Sequence, residues 1–145
     1  MSKFCTFIEN AISWAISKQT DLTYQYKCLA FVEDAYEKSN NIEMFGGSTA
    51  TESAEMYGYN KIDQPIKGSF VFYSSTGPIG EIVKNWGHVG LCIGKNMVIH
   101  TWDKIRIDNY LEVELLQNAP GWNQPKYLGW TPPEVFLKGF VSKMY

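Results

Sequence analysis

The stretch Gly87-His88-Val89-Gly90-Leu91-Cys92-Ile93-Gly94-Lys95-Asn96-Met97-Val98-Ile99-His100-Thr101-Trp102 contains both histidines of the 145-residue chain. β-Branched and aromatic residues flank the turn-forming Gly94-Lys95-Asn96, which predicts an antiparallel hairpin with strands Gly87 to Gly94 and Met97 to Trp102. The separation of the histidines makes the register testable, because residues paired across an antiparallel ladder share a face. A two-residue loop, Lys95-Asn96, would pair Leu91 with His100 and put His88 on the opposite face. A three-residue loop, Gly94-Lys95-Asn96, would pair Gly90 with His100 and His88 with Trp102. Asn96 suits the left-handed conformation that such a loop requires, so the odd loop is the expectation. Both imidazoles then share one face as diagonal neighbours roughly 7–8 Å apart at Cα. Val89, Leu91, Ile93, Met97 and Ile99 form the reverse, apolar face.

Outward from this hairpin, Ser69 to Tyr73, Lys104 to Asp108 and Lys126 to Trp130 have the same strand texture, and a short helix is expected from Tyr110 to Gln117. Gly77 to Asn85 reads as a loop before the first histidine strand, placed to cap a cleft. The first third of the chain is helical in pattern. Phe4, Phe7, Ile8, Ala11, Ile12, Ala15 and Ile16 recur at helical spacing and predict a helix ending near Lys18. After a turn at Leu22 to Tyr26, Cys28, Leu29, Phe31, Val32, Ala35 and Tyr36 predict a second helix that reaches Ser39. Thr51 to Tyr57 is a third, with Ala54 inward. Helices followed by strands predict an α+β domain with N-terminal helices on an antiparallel sheet.

The length suits one domain over residues 1–145. A net charge of −2 gives no positive field for nucleic acid. No apolar stretch reaches the roughly 18 residues of a membrane span, and no secretory signal is evident, since Glu9 and Asn10 interrupt the first apolar run. Aromatic residues make up 15% of the chain, more than a small core uses, and some are expected to line a groove.

The three cysteines, Cys5, Cys28 and Cys92, are odd in number and widely spaced, so they do not form a disulfide framework. Cys28 falls in the first turn of the second helix beside Lys27, where a helix N-terminus lowers a thiol pKa. Cys5 and Cys92 are expected to be core thiols. Two histidines on one face beside a thiol fit the logic of a thiol hydrolase. Cys28 would be the nucleophile and His88 its base, with His100 orienting His88. The oxyanion would face the Cys28 backbone N–H and the hydroxyl of Tyr24 or Tyr26. Trp86 and Trp102 flank the histidine strands and either line a substrate cleft or pack in the core, whereas Trp122 and Trp130 are expected to pack in the Pro-rich ending. Asp103 and Asp108, beside Lys104 and Arg106, read as a solvated edge with alternating charges, the alternative being that they steer a cationic group of a substrate. Strand histidines as plain core residues remain an alternative. So does zinc held by Cys28, His88, Cys92 and His100, although no Cys-x-x-Cys or His-x-x-x-His pair supports it and no metal or cofactor is expected.

At these residues the chain resembles the NlpC-type cell-wall peptidases, a papain-like family of cysteine hydrolases. Tyr26-Lys27-Cys28-Leu29-Ala30-Phe31-Val32 is similar to the family's nucleophile helix, and Lys67-Gly68-Ser69-Phe70-Val71-Phe72-Tyr73 to its Gly-Asp-Leu-Val-Phe-Phe strand. Gly87 to Gly94 resembles the base-bearing strand, and Met97-Val98-Ile99-His100 the strand with the orienting polar residue. Tyr127 to Pro133 is similar to an ending seen in some members. The resemblance implies a papain-like fold, a Cys28, His88, His100 triad, and hydrolysis of peptidoglycan stem peptides, often between D-glutamate and the diamino acid. It implies action at the cell wall or outside the cytoplasm, reached by a non-Sec route or after a signal has been trimmed, and it leaves room for an immunity or inhibitor protein as partner. Lys27-Cys28-Leu29-Ala30 departs from the frequent Asp-Cys-Ser-Gly, and Ser69 stands where Asp is frequent. A CHAP-like amidase cutting between sugar and peptide, and a catalytically idle cell-wall-binding module, are the alternatives.

Overall fold

The computed structural model describes residues 4–143. Helix α1 (Cys5–Ser17) buries Ile8, Ala11, Ile12 and Ala15, the stripe set by its apolar spacing. A 3₁₀ turn (Leu22–Tyr24) leads into α2 (Cys28–Asn40), which ends where Asn41 turns left-handed at φ 52°. A short strand β1 (Ile42–Glu43) precedes α3 (Ala50–Tyr57), whose N-cap Thr49 accepts the Glu52 N–H at 3.1 Å. The strands that follow are β2 (Phe70–Ser74), β3 (Thr76–Ile79), β4 (Ile82–Asn85), β5 (His88–Gly94), β6 (Met97–Thr101), β7 (Ile105–Asn109) and β8 (Lys126–Thr131). Helix α4 (Pro133–Phe136) and β9 (Val141–Ser142) close the described chain.

Five strands form one antiparallel sheet in the order β7-β6-β5-β2-β8, with α2 packed on β5 and β6. This is the α+β arrangement expected from the order of elements, and it agrees with the papain-like fold that the resemblance implies. Its two faces bury different clusters. Phe31, Val32, Tyr36, Phe70, Phe72, Val89, Leu91 and Ile99 fill the space between helices and sheet. Val71, Tyr73, Cys92, Val98, Tyr110, Val113 and Trp130 form a smaller cluster on the other face. Phe136 stacks on Phe70 with ring centroids 3.7 Å apart, which ties α4 to the larger core.

Three expectations are corrected. Residues 77–85 are not a plain loop but part of a β3–β4 hairpin, turned at Gly80 with φ 62°. All of β4 is exposed, so it lacks the apolar alternation that marks a strand. Tyr110 to Gln117 is only a 3₁₀ turn (Glu112–Leu115), because within that turn Val113 alone is buried and Leu115 is 79% exposed. Cys5 is exposed rather than core, since it falls outside the buried stripe of α1, while Cys92 is buried as expected.

Candidate active site

The β5–β6 hairpin reaches the expected register by a different route. Lys95 and Asn96 both have positive φ, 53° and 63°, and Gly94 lies opposite Met97, so the loop has two residues rather than three. Such a loop alone would place the histidines on opposite faces. A bulge between Cys92 and Gly94 adds the missing odd residue, Ile93, and the ladder continues as Cys92 with Val98 and Leu91 with Ile99. Gly90 then comes opposite His100, and a Cβ there would land on the Val98 side chain and 3.0 Å from His100 Cβ. Only glycine leaves the second imidazole its place.

Both rings turn to the side of the smaller cluster, with His100 fully buried and His88 4% exposed. His88 Nε2 and His100 Nδ1 are 2.8 Å apart, and His100 Nε2 is 2.8 Å from Asp108 Oδ2. Arg106 donates to the same carboxylate from Nε at 2.8 Å. The hydrogen bond from His100 and the Arg106 guanidinium hold the Asp108 carboxyl below its ordinary pKa. An ionised carboxylate only accepts, so His100 Nε2–H donates to it. In the tautomer that leaves His100 Nδ1 without a proton, that nitrogen accepts from His88 Nε2–H. His88 Nδ1 is left as a basic nitrogen. Burial, reinforced by His100, pushes the His88 pKa well below the ordinary 6.5, so the ring rests neutral.

Cys28 is the first residue of α2, as its sequence position predicts. Tyr26, two residues before it, is held at φ 65° and is 80% exposed, an uncommon conformation for a bulky residue. The backbone N–H groups of Val89, Leu29 and Cys28 itself are directed at the sulfur. The thiol therefore meets β5 at the residue next to His88. Its ionisation departs from the sequence expectation: burial outweighs the three N–H groups and raises the pKa, so the resting thiol is neutral.

The thiol and His88 line a cleft of about 1210 Å³ together with Tyr26, Lys27, Trp86 and Trp102. Trp86 donates its indole N–H to Gly77 O and Trp102 to Gln117 O, both at 2.9 Å, and the Trp102 ring stands edge-on to His88. Tyr24 is not brought to this cleft. Its ring packs on Trp14 and Phe31, and its hydroxyl donates to Asp34 at 2.6 Å. Trp130 packs as expected, whereas Trp122 lines the cleft, its ring against Gly77. Asp108 is not a solvated edge residue, and neither it nor Arg106 was singled out by the sequence for a place beside the histidines. The β6–β7 register pairs His100 with Arg106 and Val98 with Asp108, so the parity rule applied to β5–β6 also places both on the histidine face. Among the described residues no group of three His, Cys, Asp or Glu is gathered to hold a metal ion, and no helix is long and apolar enough to cross a membrane.

A family model described as the NlpC/P60 family matches residues 13–121, a span that includes α2 and every strand from β2 to β7. No curated protein matches the chain. The match covers most of the chain, from within α1 to past the histidine–aspartate relay, so the chain belongs to the NlpC/P60 family, whose members are in general papain-like cysteine peptidases of the cell wall.

Proposed function

We propose that the protein is a cysteine peptidase that hydrolyses an amide bond in peptidoglycan stem peptides, with Cys28 as nucleophile, His88 as general base and acid, and His100 as the residue that orients it. The D-glutamyl to diamino acid bond is the preferred target, on the family resemblance. The observation that carries the reading is the ordered chain Asp108, His100, His88, which leaves one basic nitrogen on the ring adjacent in sequence to the N–H that touches the Cys28 sulfur.

With thiol and imidazole both neutral at rest, the proton moves as the bond forms. Sγ attacks the scissile carbonyl while its proton passes to His88 Nδ1. The carbonyl oxygen becomes an oxyanion facing the backbone N–H of Cys28 at the head of α2. Collapse of this intermediate expels the amine, which takes the proton back from His88 and leaves a thioester. Water then attacks the thioester, His88 accepts its proton, and the second collapse frees the acid and returns the proton to the thiolate. Asp108 and Arg106 stabilise the imidazolium state through His100 without touching substrate. Tyr26, Trp86 and Trp102 supply the aromatic walls of the cleft.

Digestion of defined, disaccharide-linked stem peptides with mass analysis of the products tests the reading. The expected products are new D-glutamate carboxyl and diamino acid amine termini, absent with Cys28→Ala. A cut between the sugar lactyl group and the first alanine would establish an amidase instead. Binding without any cut by the wild-type chain would establish an idle module.

A further inference from the structure

The cleft is lined by two carboxylates, Asp103 and Glu33. Asp103 accepts from Arg106 at 3.2 Å. Glu33, on α2 one turn beyond the nucleophile, is half-buried and makes no hydrogen bond or ion pair among the described residues. Its acidic neighbours are all engaged. Asp34 accepts from the Tyr24 hydroxyl and pairs with Lys38 at 3.4 Å, Glu37 accepts the Met44 N–H at 3.0 Å, and Glu52 accepts the Ser48 N–H at 3.0 Å. The charges that act on Glu33 are those of Glu37 and Asp34, both of its own sign, and the Tyr57 hydroxyl on α3 is the further titratable group near it. Burial and these charges push its carboxyl up to about 7. Gly46 gives the carboxylate room, since a Cβ there would lie 3.2 Å from Glu33 Oε2. An unpaired acid in a cleft, surrounded by like charge, is satisfied by a cation from outside.

We infer that Glu33 is the ammonium-binding residue of the substrate cleft, selecting peptides that carry a free primary amine close to the scissile bond. The inference rests on the stem-peptide reading above. Glu33 lies five helical steps beyond Cys28, a rise of about 7.5 Å, which matches about two residues of extended peptide. Two amines of a stem peptide lie within that reach: the N-terminal ammonium of its first residue, present only once the peptide has been freed from the sugar, and the side-chain ammonium of its diamino acid. A lone carboxylate suits a point-charge ammonium donor better than a divalent cation, which needs several oxygen ligands.

Titration calorimetry on the full chain carrying Cys28→Ala tests the inference, with the peptide Ala-γ-D-Glu-Lys-D-Ala free, N-acetylated, Nε-acetylated and doubly acetylated. Acetylating the recognised amine is expected to raise Kd about tenfold, the loss of one charge-assisted hydrogen bond. That difference is expected to vanish when Glu33→Gln is added, and the acetylation that weakens binding identifies which amine is held. Equal affinity for all four peptides, or an equal loss for all four on Glu33→Gln, overturns the inference. Circular dichroism of the isosteric variant shows whether the fold is kept, and Glu33→Asp, which keeps the charge, is expected to retain part of the discrimination. The two readings fail separately. A wild-type chain that cleaves every form equally keeps the peptidase and loses the subsite, whereas a chain that neither binds nor cleaves any form loses both.

Discussion

The strand wall and the helix wall of the cleft satisfy their polar groups in opposite ways. On the strand wall His88, His100, Asp108 and Arg106 form a continuous chain of hydrogen bonds. On the helix wall Glu33 makes no hydrogen bond or ion pair among the described residues, and the charges that act on it, those of Glu37 and Asp34, are of its own sign. A saturated network fixes positions and proton placement, because each bond dictates the tautomer of the next ring. An unsaturated group fixes nothing inside the protein and is left for a ligand. On the proposed reading, the difference separates the part of the site that would do the chemistry from the part that would choose a substrate.

The strongest way to break this division is to remove the proposed base. His88→Ala should lower kcat/KM for stem-peptide cleavage by about 10²–10⁴-fold. The same activity should persist on the acid side to pH values below 6.5, because burial holds the His88 pKa well under that value and protonation of the base is what switches it off. A pH profile of kcat/KM whose acid limb is centred at or above 6.5 would contradict the neutral, desolvated ring.

Asp108→Asn probes the next link with a smaller effect. An amide can donate to His100 Nε2 as well as accept from it, so the tautomer of His100, and through it that of His88, is no longer imposed. The expected outcome is a roughly 10- to 100-fold loss in kcat with KM little changed, the usual scale for partners that act through a histidine. A merely structural role would instead lower the melting temperature and leave the kcat of the folded fraction intact.

The strand wall was partly legible in the sequence, and its misreading is instructive. Parity of pairing puts His88 and His100 on one face, yet the sequence pattern points to an odd loop where the structure has a bulge at Ile93. Both devices shift the ladder by one residue, and sequence pattern responds only to the shift. Asp108 was hidden because a strand with alternating charge looks the same whether its charges meet water or a buried imidazole. The helices were plain from their spacing, and Cys28 was found at the head of α2, but its raised pKa depends on burial that no local pattern reveals. β4 was missed because it is exposed on both faces.

Gly90→Ala tests the register directly. The new Cβ would strike Val98 and crowd His100, an overpacking that costs about 1–3 kcal/mol of unfolding free energy. Activity should fall further than stability, since His100 must move to make room. A variant with unchanged denaturation midpoint would show that the histidine strands are not packed as described.

The two walls should also bend the stability curve in opposite directions, the smallest effect and the most specific to the contrast. His88 has a folded pKa below its unfolded value, so its contribution is present above pH 6.5 and is lost as pH falls below it. Glu33 has a folded pKa raised from 4.5 to about 7, so the folded state binds the proton more tightly than the unfolded chain does. Its favourable contribution is therefore complete below pH 4.5 and disappears as pH rises to about 7. Because the carboxyl is only half-buried, solvent screening limits the change to less than about 1 kcal/mol. Urea unfolding of the wild type and of Glu33→Gln across this window should give curves that diverge, the variant gaining relative stability as pH rises from 4.5 toward 7. Parallel curves would mean that Glu33 already has a partner when the cleft is empty, and the distinction between the two walls would fall with it.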